Sequence, residues 1–379
     1  MFFEAHRTQR TQRNTKKNAA IKIFNLFYLP NTNTMPTKKF IPFSEIKNLE
    51  KLIIVDGQHA QGLVLSHWKG ANKIPELAAD TSGEIVLNAI QVNWKGIDYP
   101  NITATHFDID GFVGVWALFH QALAKKYDAV LRQVAIIGDF RHFDANNEDA
   151  ITALKLVCWL NAVEKAEFYR PFGSSDELDD CVAKFHYFLP RFEAVLAHPD
   201  AFESDWRPEF EAVLSGIDKM KNAKVRTYEN IGLYVVEIEE PIHYYALMGE
   251  RTTYDMVLSL YTNKRYELEI KYTTWVDIVS RPTLPRLNMQ PLVAQLNAIE
   301  NSDHTWFCDK ITDTGPILRL EASDLSKADR YANPTEREIY SSSIAPEELE
   351  AAIVDFFRKA YKGVDAKRGW TWKELRLMG

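Results

Sequence analysis

Three short apolar runs in the first 140 residues each lead into acidic residues: LIIV into Asp56, NITAT into His106-Phe107-Asp108-Ile109-Asp110-Gly111, and VAII into Gly138-Asp139. Helical stretches, SGEIVLNAI and GFVGVWALFHQALAKKY, lie between them, and strand and helix alternating in this way imply an open parallel sheet. The carboxyl ends of such strands open into one crevice, so acids far apart in sequence can converge there. Four carboxylates sharing a cleft repel one another and take up protons unless a cation holds them. The expected fold class is α/β, a mostly parallel sheet with helices on both faces, joined to a second, smaller α+β domain.

The chain divides into four segments on this reading. Residues 1–40 form a basic extension with eight Lys and Arg against the single acid Glu4, so the net charge of −7 becomes −14 over residues 41–379. An acidic body argues against a surface that grips extended duplex nucleic acid. Residues 41–222 hold the α/β cation-binding domain and a helical linker region, in which DELDDCVAKFHYFLPRFEAVL is ended or kinked at Pro190. Residues 223–330 alternate with period two, clearest in YDMVLSLY and YELEIKY, which read as a hairpin with Tyr266, Leu268 and Ile270 buried and Glu267, Glu269 and Lys271 on the open side. Residues 331–379 form a helical tail carrying EELEAAIVDFFRKAY. Cys158, Cys181 and Cys308 are odd in number and form no C-x-x-C pair, so the expectation is a reducing, cytoplasmic setting without a thiolate zinc site. No run approaches the roughly 18 apolar residues that span a bilayer.

The strongest chemical signal is His106-x-Asp108-x-Asp110-Gly111. Read as a strand end, alternate residues put the imidazole and both carboxylates on one face. Nitrogen and oxygen donors together suit Mn²⁺, Mg²⁺, Fe²⁺ or Zn²⁺, with Mn²⁺ or Mg²⁺ expected here as one or two ions. The apolar helix that opens directly after Asp110-Gly111 would turn its free N–H groups toward the same place, a seat for phosphate. His142 and Asp144, in GDFRHFD, are candidates for a base or an outer partner. Asp80, Thr81 and Ser82 read as the amino-terminal cap of the helix SGEIVLNAI, and Trp68 beside His67 could wall a pocket.

THFDIDGFVGVWALF resembles the first motif of the DHH phosphoesterase superfamily, and VAIIGDF is similar to its second, a strand ending in a metal-bridging aspartate. VLSHWKG followed by PELAADTSGEIVLNAI resembles the stretch after that superfamily's Asp-His-His motif, with Ser66-His67-Trp68 in the motif's place and the order circularly permuted. WVDIVSRPTLPRLNMQPLVAQLN resembles the associated C-terminal domain. The resemblance implies a phosphoester hydrolase in which His106, Asp108 and Asp139 hold one ion and Asp110, Asp139 and His67 a second, with Asp56 close by. Arg281, or Arg286, would bind a small phosphorylated substrate or short nucleotide, and His67, Asp110 and His142 would take part in the chemistry. The VDG, LSHW, HFD-x-DG and GDF segments also resemble a family of uncharacterised bacterial proteins. Two other readings are a non-catalytic scaffold with a degraded site and a haloacid-dehalogenase-type phosphatase, whose Asp-x-Asp-Gly start FDIDGF resembles.

Overall fold

Every side chain of Leu52–Val55 is buried, and a strand without an exposed face belongs in the middle of a covered sheet. In the computed structural model it does lie there. The structure describes residues 38–379 apart from 48, 169–176, 252, 272, 274, 311, 314, 322–331 and 379, with the backbone alone for 177–180. Of the basic extension, residues 1–37 therefore lie outside the described residues. Strands β1 (Lys39–Phe40), β2 (Leu52–Val55), β3 (Leu63–Leu65) and β4 (Asn101–Ala104) form a four-stranded sheet of order β1-β4-β2-β3, and all its pairings are parallel.

Helices α1 (Ser82–Gln91), α2 (Ile109–Phe119), α3 (Gln121–Lys126), α4 (Asp128–Phe140) and α5 (Glu148–Glu167) follow the same stretch of chain. Ile53, Val55, Leu65, Ile102 and Ala104 join the helices in one large core. The opposite face, carrying Leu52, Ile54 and Val64, is closed by Ile46, Ala71, Phe43, Leu49 and Trp68. The covering of this second face therefore comes from loop segments and the 3-10 turn Phe43–Glu45, where the sequence reading expected helices. Farther along lie α6 (Glu177–Phe188), which stops before Pro190, then α7 (Phe192–Ala197) and α8 (Glu203–Met220).

VAIIGDF is helix, not strand. Read alone the run VAII suits a strand, but with the preceding DAVLRQ the buried residues Leu131, Val134 and Ala135 fall at helical spacing, and all of Asp128–Phe140 is α4. His106-x-Asp108-x-Asp110 is likewise not an alternating strand end. β4 stops at Ala104, Asp108 caps α2 by accepting from Gly111 N–H, and Asp110 sits in the first helical turn.

The second sheet has six strands: β5 (Lys224–Tyr228), β6 (Leu233–Glu237), β7 (Met256–Tyr261), β8 (Arg265–Ile270), β9 (Thr305–Cys308) and β10 (Ile317–Glu321), in the order β5-β6-β7-β8-β10-β9. Only β6 and β7 pair in parallel. The short helix α9 (Tyr244–Met248) lies between β6 and β7 in sequence. One face packs on α10 (Gln290–Ile299) and α11 (Pro346–Ala360) through Leu258, Tyr266, Leu268, Leu292, Ile353 and Phe357. The last helix, α12, is Trp372–Met378. The hairpin of β7 and β8 forms as expected, with Leu258 opposite Leu268. Its other face is not open: Glu267, Glu269 and Lys271 are buried. The Arg337 guanidinium explains the first two, donating to both Glu267 oxygens at 2.9 and 2.6 Å and to Glu269 at 3.1 Å.

Candidate metal centre

The site lies where three neighbouring parallel strands, β4, β2 and β3, end. β2 runs into Asp56, β3 into Ser66 and His67, and β4 into Thr105 and His106. Asp56 adopts a left-handed backbone, φ 46°, which aspartate tolerates better than most residues. The turn lets Gly57 N–H reach the Ser66 hydroxyl at 3.2 Å. Asp108 and Asp110 come from the start of α2, and Asp139 from the last turn of α4.

These side chains meet. Nε2 of His67 lies 3.4 Å from Oδ1 of Asp56 and 3.9 Å from Oδ2 of Asp110. Nε2 of His106 lies 3.5 Å from Oδ2 of Asp56 and 2.9 Å from Oδ2 of Asp108. Two ligand triads result, Asp56-His106-Asp108 and Asp56-His67-Asp110. The carboxylate common to both is Asp56, where the resemblance had put Asp139. Asp139 Oδ2 stands 3.9 Å from Nδ1 of His67, on the other edge of that ring.

Both imidazoles are held in the tautomer a metal ligand needs. A carbonyl can only accept, so the 2.5 Å contact between His67 Nδ1 and the Asp80 carbonyl puts a proton on Nδ1. Thr105 spends its hydroxyl proton on the Asp56 carbonyl at 2.8 Å, so its oxygen is left to accept from His106 Nδ1 at 3.1 Å. Each ring thereby turns Nε2 toward the carboxylates, the arrangement that outer hydrogen bonds impose on ligating histidines.

Ser82 ties the carboxylates together. Its hydroxyl donates to Asp56 Oδ1 at 2.6 Å, its N–H to Asp110 Oδ2 at 2.8 Å, and its oxygen accepts from His67 N–H at 3.2 Å. It is the first residue of α1, capped by Thr81, whose side chain accepts from Glu84 N–H while Glu84 returns a bond to Thr81 N–H. Capping was legible in DTSGE; the reach of Ser82 across to Asp56 was not, because nothing local in sequence encodes it. Gly111 is required by close approach. A Cβ there would sit 2.7 Å from Asp108 Oδ1 and 3.1 Å from the Asp56 Cβ.

The electrostatics are those of a site short of positive charge. Burial and the negative charges of Asp56, Asp108 and Asp139 hold the Asp110 carboxyl well above the usual range. Burial, with Asp108 and Asp56, pushes Asp139 up to about 8 against the pull of His67. Burial works against charge on His67, but the hydrogen bond to Asp56 and the charge of Asp139 overcome it and raise the ring to about 9. Burial is likewise outweighed at His106, which Asp108 and then Asp56 raise to about 10. Asp108 alone goes down, to about 2: His106 and the Gly111 N–H outweigh its burial. Asp56 Oδ2, Asp110 Oδ1 and Asp139 Oδ2 are buried and accept no hydrogen bond. Unpaired buried carboxylate oxygens are costly, and imidazole nitrogen with carboxylate oxygen is a donor set that could hold a divalent cation.

His142, Arg281, Arg286 and Asp144 make their contacts away from the two triads. His142 Nε2 accepts from Lys271 at 2.7 Å; burial and the charges of Lys271 and Arg281 depress it to about 2. Arg281 is paired with Asp255. Arg286 is buried and donates to the carbonyls of Asp313 at 2.5 Å and Lys271 at 2.8 Å. Asp144 caps a local turn through Asn146 N–H. Trp68 stacks obliquely on His106, ring centres 5.6 Å apart.

A protein-family profile matches residues 36–368, the span that carries every residue of the two triads, and it describes a family of unknown function. The chain belongs to DUF6687. No curated protein and no solved structure matches it. The VDG, LSHW, HFD-x-DG and GDF segments of this DUF6687 chain all fall inside the matched span. Among its described residues no helix is long and apolar enough to cross a membrane.

Proposed function

We propose that this chain is a divalent-cation-dependent hydrolase of phosphoesters or phosphoanhydrides, using Mn²⁺ or Mg²⁺. The observation that carries the reading is Asp56, whose two oxygens face two histidines of fixed tautomer, one with Asp108 and the other with Asp110. Asp56, His106 and Asp108 would hold one ion, and Asp56, His67 and Asp110 a second. Bound there, such ions would supply an acidified water and neutralise charge on a phosphoryl group.

The protein's own groups do the rest. His67 and His106 give up their Nε2 protons on loading and keep Nδ1–H on the Asp80 carbonyl and the Thr105 hydroxyl. Asp139, which burial, Asp108 and Asp56 raise to about 8 in the cation-free site, stands on the Nδ1 side of His67, a place from which a carboxyl group can take part in proton transfer. The side chain of His106 is 41% exposed, so the site opens on the His106 and Trp68 side, and a small phosphorylated substrate or short nucleotide is the class that suits such a mouth. Asp108 is engaged at both oxygens, by Gly111 N–H and by His106, which favours a ligand over the nucleophile of a dehalogenase-type phosphatase. Cys158, Cys181 and Cys308 are buried and free, in keeping with a cytoplasmic setting.

The test is direct. Purified protein is titrated with Mn²⁺ by calorimetry, then assayed on bis(p-nitrophenyl) phosphate, p-nitrophenyl phosphate and pyrophosphate. Tight Mn²⁺ binding with turnover that Asp56→Asn abolishes supports the reading; no binding of Mn²⁺ or Mg²⁺ sinks it, and binding without turnover leaves a scaffold.

A further inference from the structure

The strongest unassigned feature is the way residues that follow the second sheet's β8 grip His67. Residues 275–281 follow β8 and lie along the chain that extends β3. Trp68 and Val276 form an antiparallel bridge. Lys69 N–H donates to the Trp275 carbonyl at 2.7 Å, and Asp277 N–H donates to the carbonyl of His67 itself at 2.9 Å. The lysine side chains complete the seam, Lys69 reaching Asp277 at 2.7 Å and Lys73 the other Asp277 oxygen.

Asp80 stands on both sides of this seam. Its carbonyl accepts the His67 Nδ1 proton. Its carboxylate accepts from Val279 N–H at 2.8 Å, Ser280 N–H at 2.9 Å and the Ser280 hydroxyl at 2.5 Å, contacts 199 and 200 residues away in sequence. One residue thus fixes the ring of a proposed ligand through its main chain and anchors the 275–281 strap through its side chain. Helix capping alone does not need this: Thr81 and Glu84 already close the start of α1.

We infer that Asp80 is a positioning residue for the cation centre, setting the His67 imidazole through its carbonyl, which the strap holds in place by way of the Asp80 carboxylate. The inference rests on the cation-centre reading above. The carboxylate oxygen Oδ1 accepts both strap N–H groups, so an asparagine can keep the anchor and an alanine cannot. Loss of the anchor releases the Asp80 peptide from residues 279 and 280, while the contacts of residues 275–277 stay, and the ring that hangs on that peptide tilts away from Asp56 and Asp110.

The experiment compares wild type, Asp80→Ala, Asp80→Asn, Asp80→Ser and Ser280→Ala by Mn²⁺ calorimetry and by the visible absorption spectrum of the Co²⁺ form. Expected is Mn²⁺ affinity about 10-fold or more weaker and a shifted Co²⁺ band in Asp80→Ala, the range seen when a ligand's outer hydrogen bond is lost, with Asp80→Asn within about threefold of wild type. A purely structural role would lower the melting temperature of Asp80→Ala and leave affinity and band unchanged, and that result overturns the inference alone. Should Asp80→Ala not fold, Asp80→Ser decides, its side chain being too short to reach the strap N–H groups: a shifted band and weaker binding support the anchor, and wild-type behaviour overturns it, with Ser280→Ala, which keeps both N–H bonds to Oδ1, as the control that stays within about threefold of wild type. Wild type that binds neither ion overturns the centre and, with it, this inference.

Discussion

The hydroxyl of Ser82 donates to Oδ1 of Asp56 at 2.6 Å, joining the first turn of α1 to the end of β2 across 26 residues of sequence. The same oxygen of Asp56 faces His67. Ser82→Ala removes the bond that fixes this carboxylate and leaves the helix cap at Thr81 intact. Mn²⁺ affinity measured by calorimetry should fall about 10- to 100-fold, the usual consequence of losing an outer partner of a ligand.

Sharing of Asp56 between two triads predicts a distinctive pattern of metal stoichiometry. Asp56→Asn should lose both ions, while His106→Ala and Asp110→Asn should each lose one, as counted by elemental analysis after dialysis against Mn²⁺. His142→Ala should leave the count unchanged, since His142 is turned to Lys271.

The pH dependence follows from the raised groups. His67 at about 9 and His106 at about 10 stand above the ordinary 6.5, and Asp139 at about 8 above the ordinary 3.8. All three bind protons more tightly folded than unfolded, so metal-free stability falls as pH rises from 4 through 8 to 10. The histidine contribution is whole below 6.5 and is lost through 9 to 10. Asp108, at about 2, has the opposite sign, and its contribution disappears only below about pH 4. Cations must displace the retained protons, so the melting-temperature gain from a fixed Mn²⁺ concentration should be larger at pH 8.5 than at pH 6.5 in differential scanning calorimetry. An equal or smaller gain at the higher pH would contradict the assignment.

Gly83 and Gly111 are where α1 and α2 press on each other and on the site. A Cβ on Gly83 would lie 2.9 Å from the Asp110 carbonyl oxygen and 3.0 Å from the Ala135 Cβ. Gly83→Ala should cost about 1–3 kcal/mol in urea denaturation through overpacking. Gly111→Ala pushes on Asp108 and Asp56 instead, and should weaken Mn²⁺ binding by more than its effect on stability accounts for.

Glu267 and Arg337 are buried together, with 0% and 3% of their side chains exposed. Arg337→Met strands buried carboxylates and should cost about 3–5 kcal/mol, while the double variant Arg337→Met, Glu267→Leu should recover part of it, Glu269 keeping Arg141 at 3.4 Å. A double-mutant cycle by chemical denaturation measures the difference.

The sequence was most legible where chemistry and chain direction coincide. LIIV into Asp56 and NITA into His106 read correctly as strands because their apolar runs are short, β-branched and followed at once by polar residues. VAIIGDF misled because four apolar residues fit either period, and the helical one shows only when Leu131 is included. Asp108 and Asp110 reach the site by capping and opening a helix, so their spacing carried the right ligands with the wrong local geometry. Glu267 and Glu269 read as solvent-facing because Arg337, which neutralises them, lies about 70 residues away. Asp80 and Ser82 read first as caps, since their long-range partners are fixed by tertiary structure.

The strap at 275–281 has a consequence for any attempt to divide this protein. With it cut away, the carbonyl of His67 and the carboxylate of Asp80 would lose the donors that now satisfy them, although every ligand lies before residue 140. Chimeras that swap the six-stranded sheet for an unrelated partner should therefore be blind to cations, and only exchanges that carry residues 56–139 and 275–281 from the same parent should keep the centre alive.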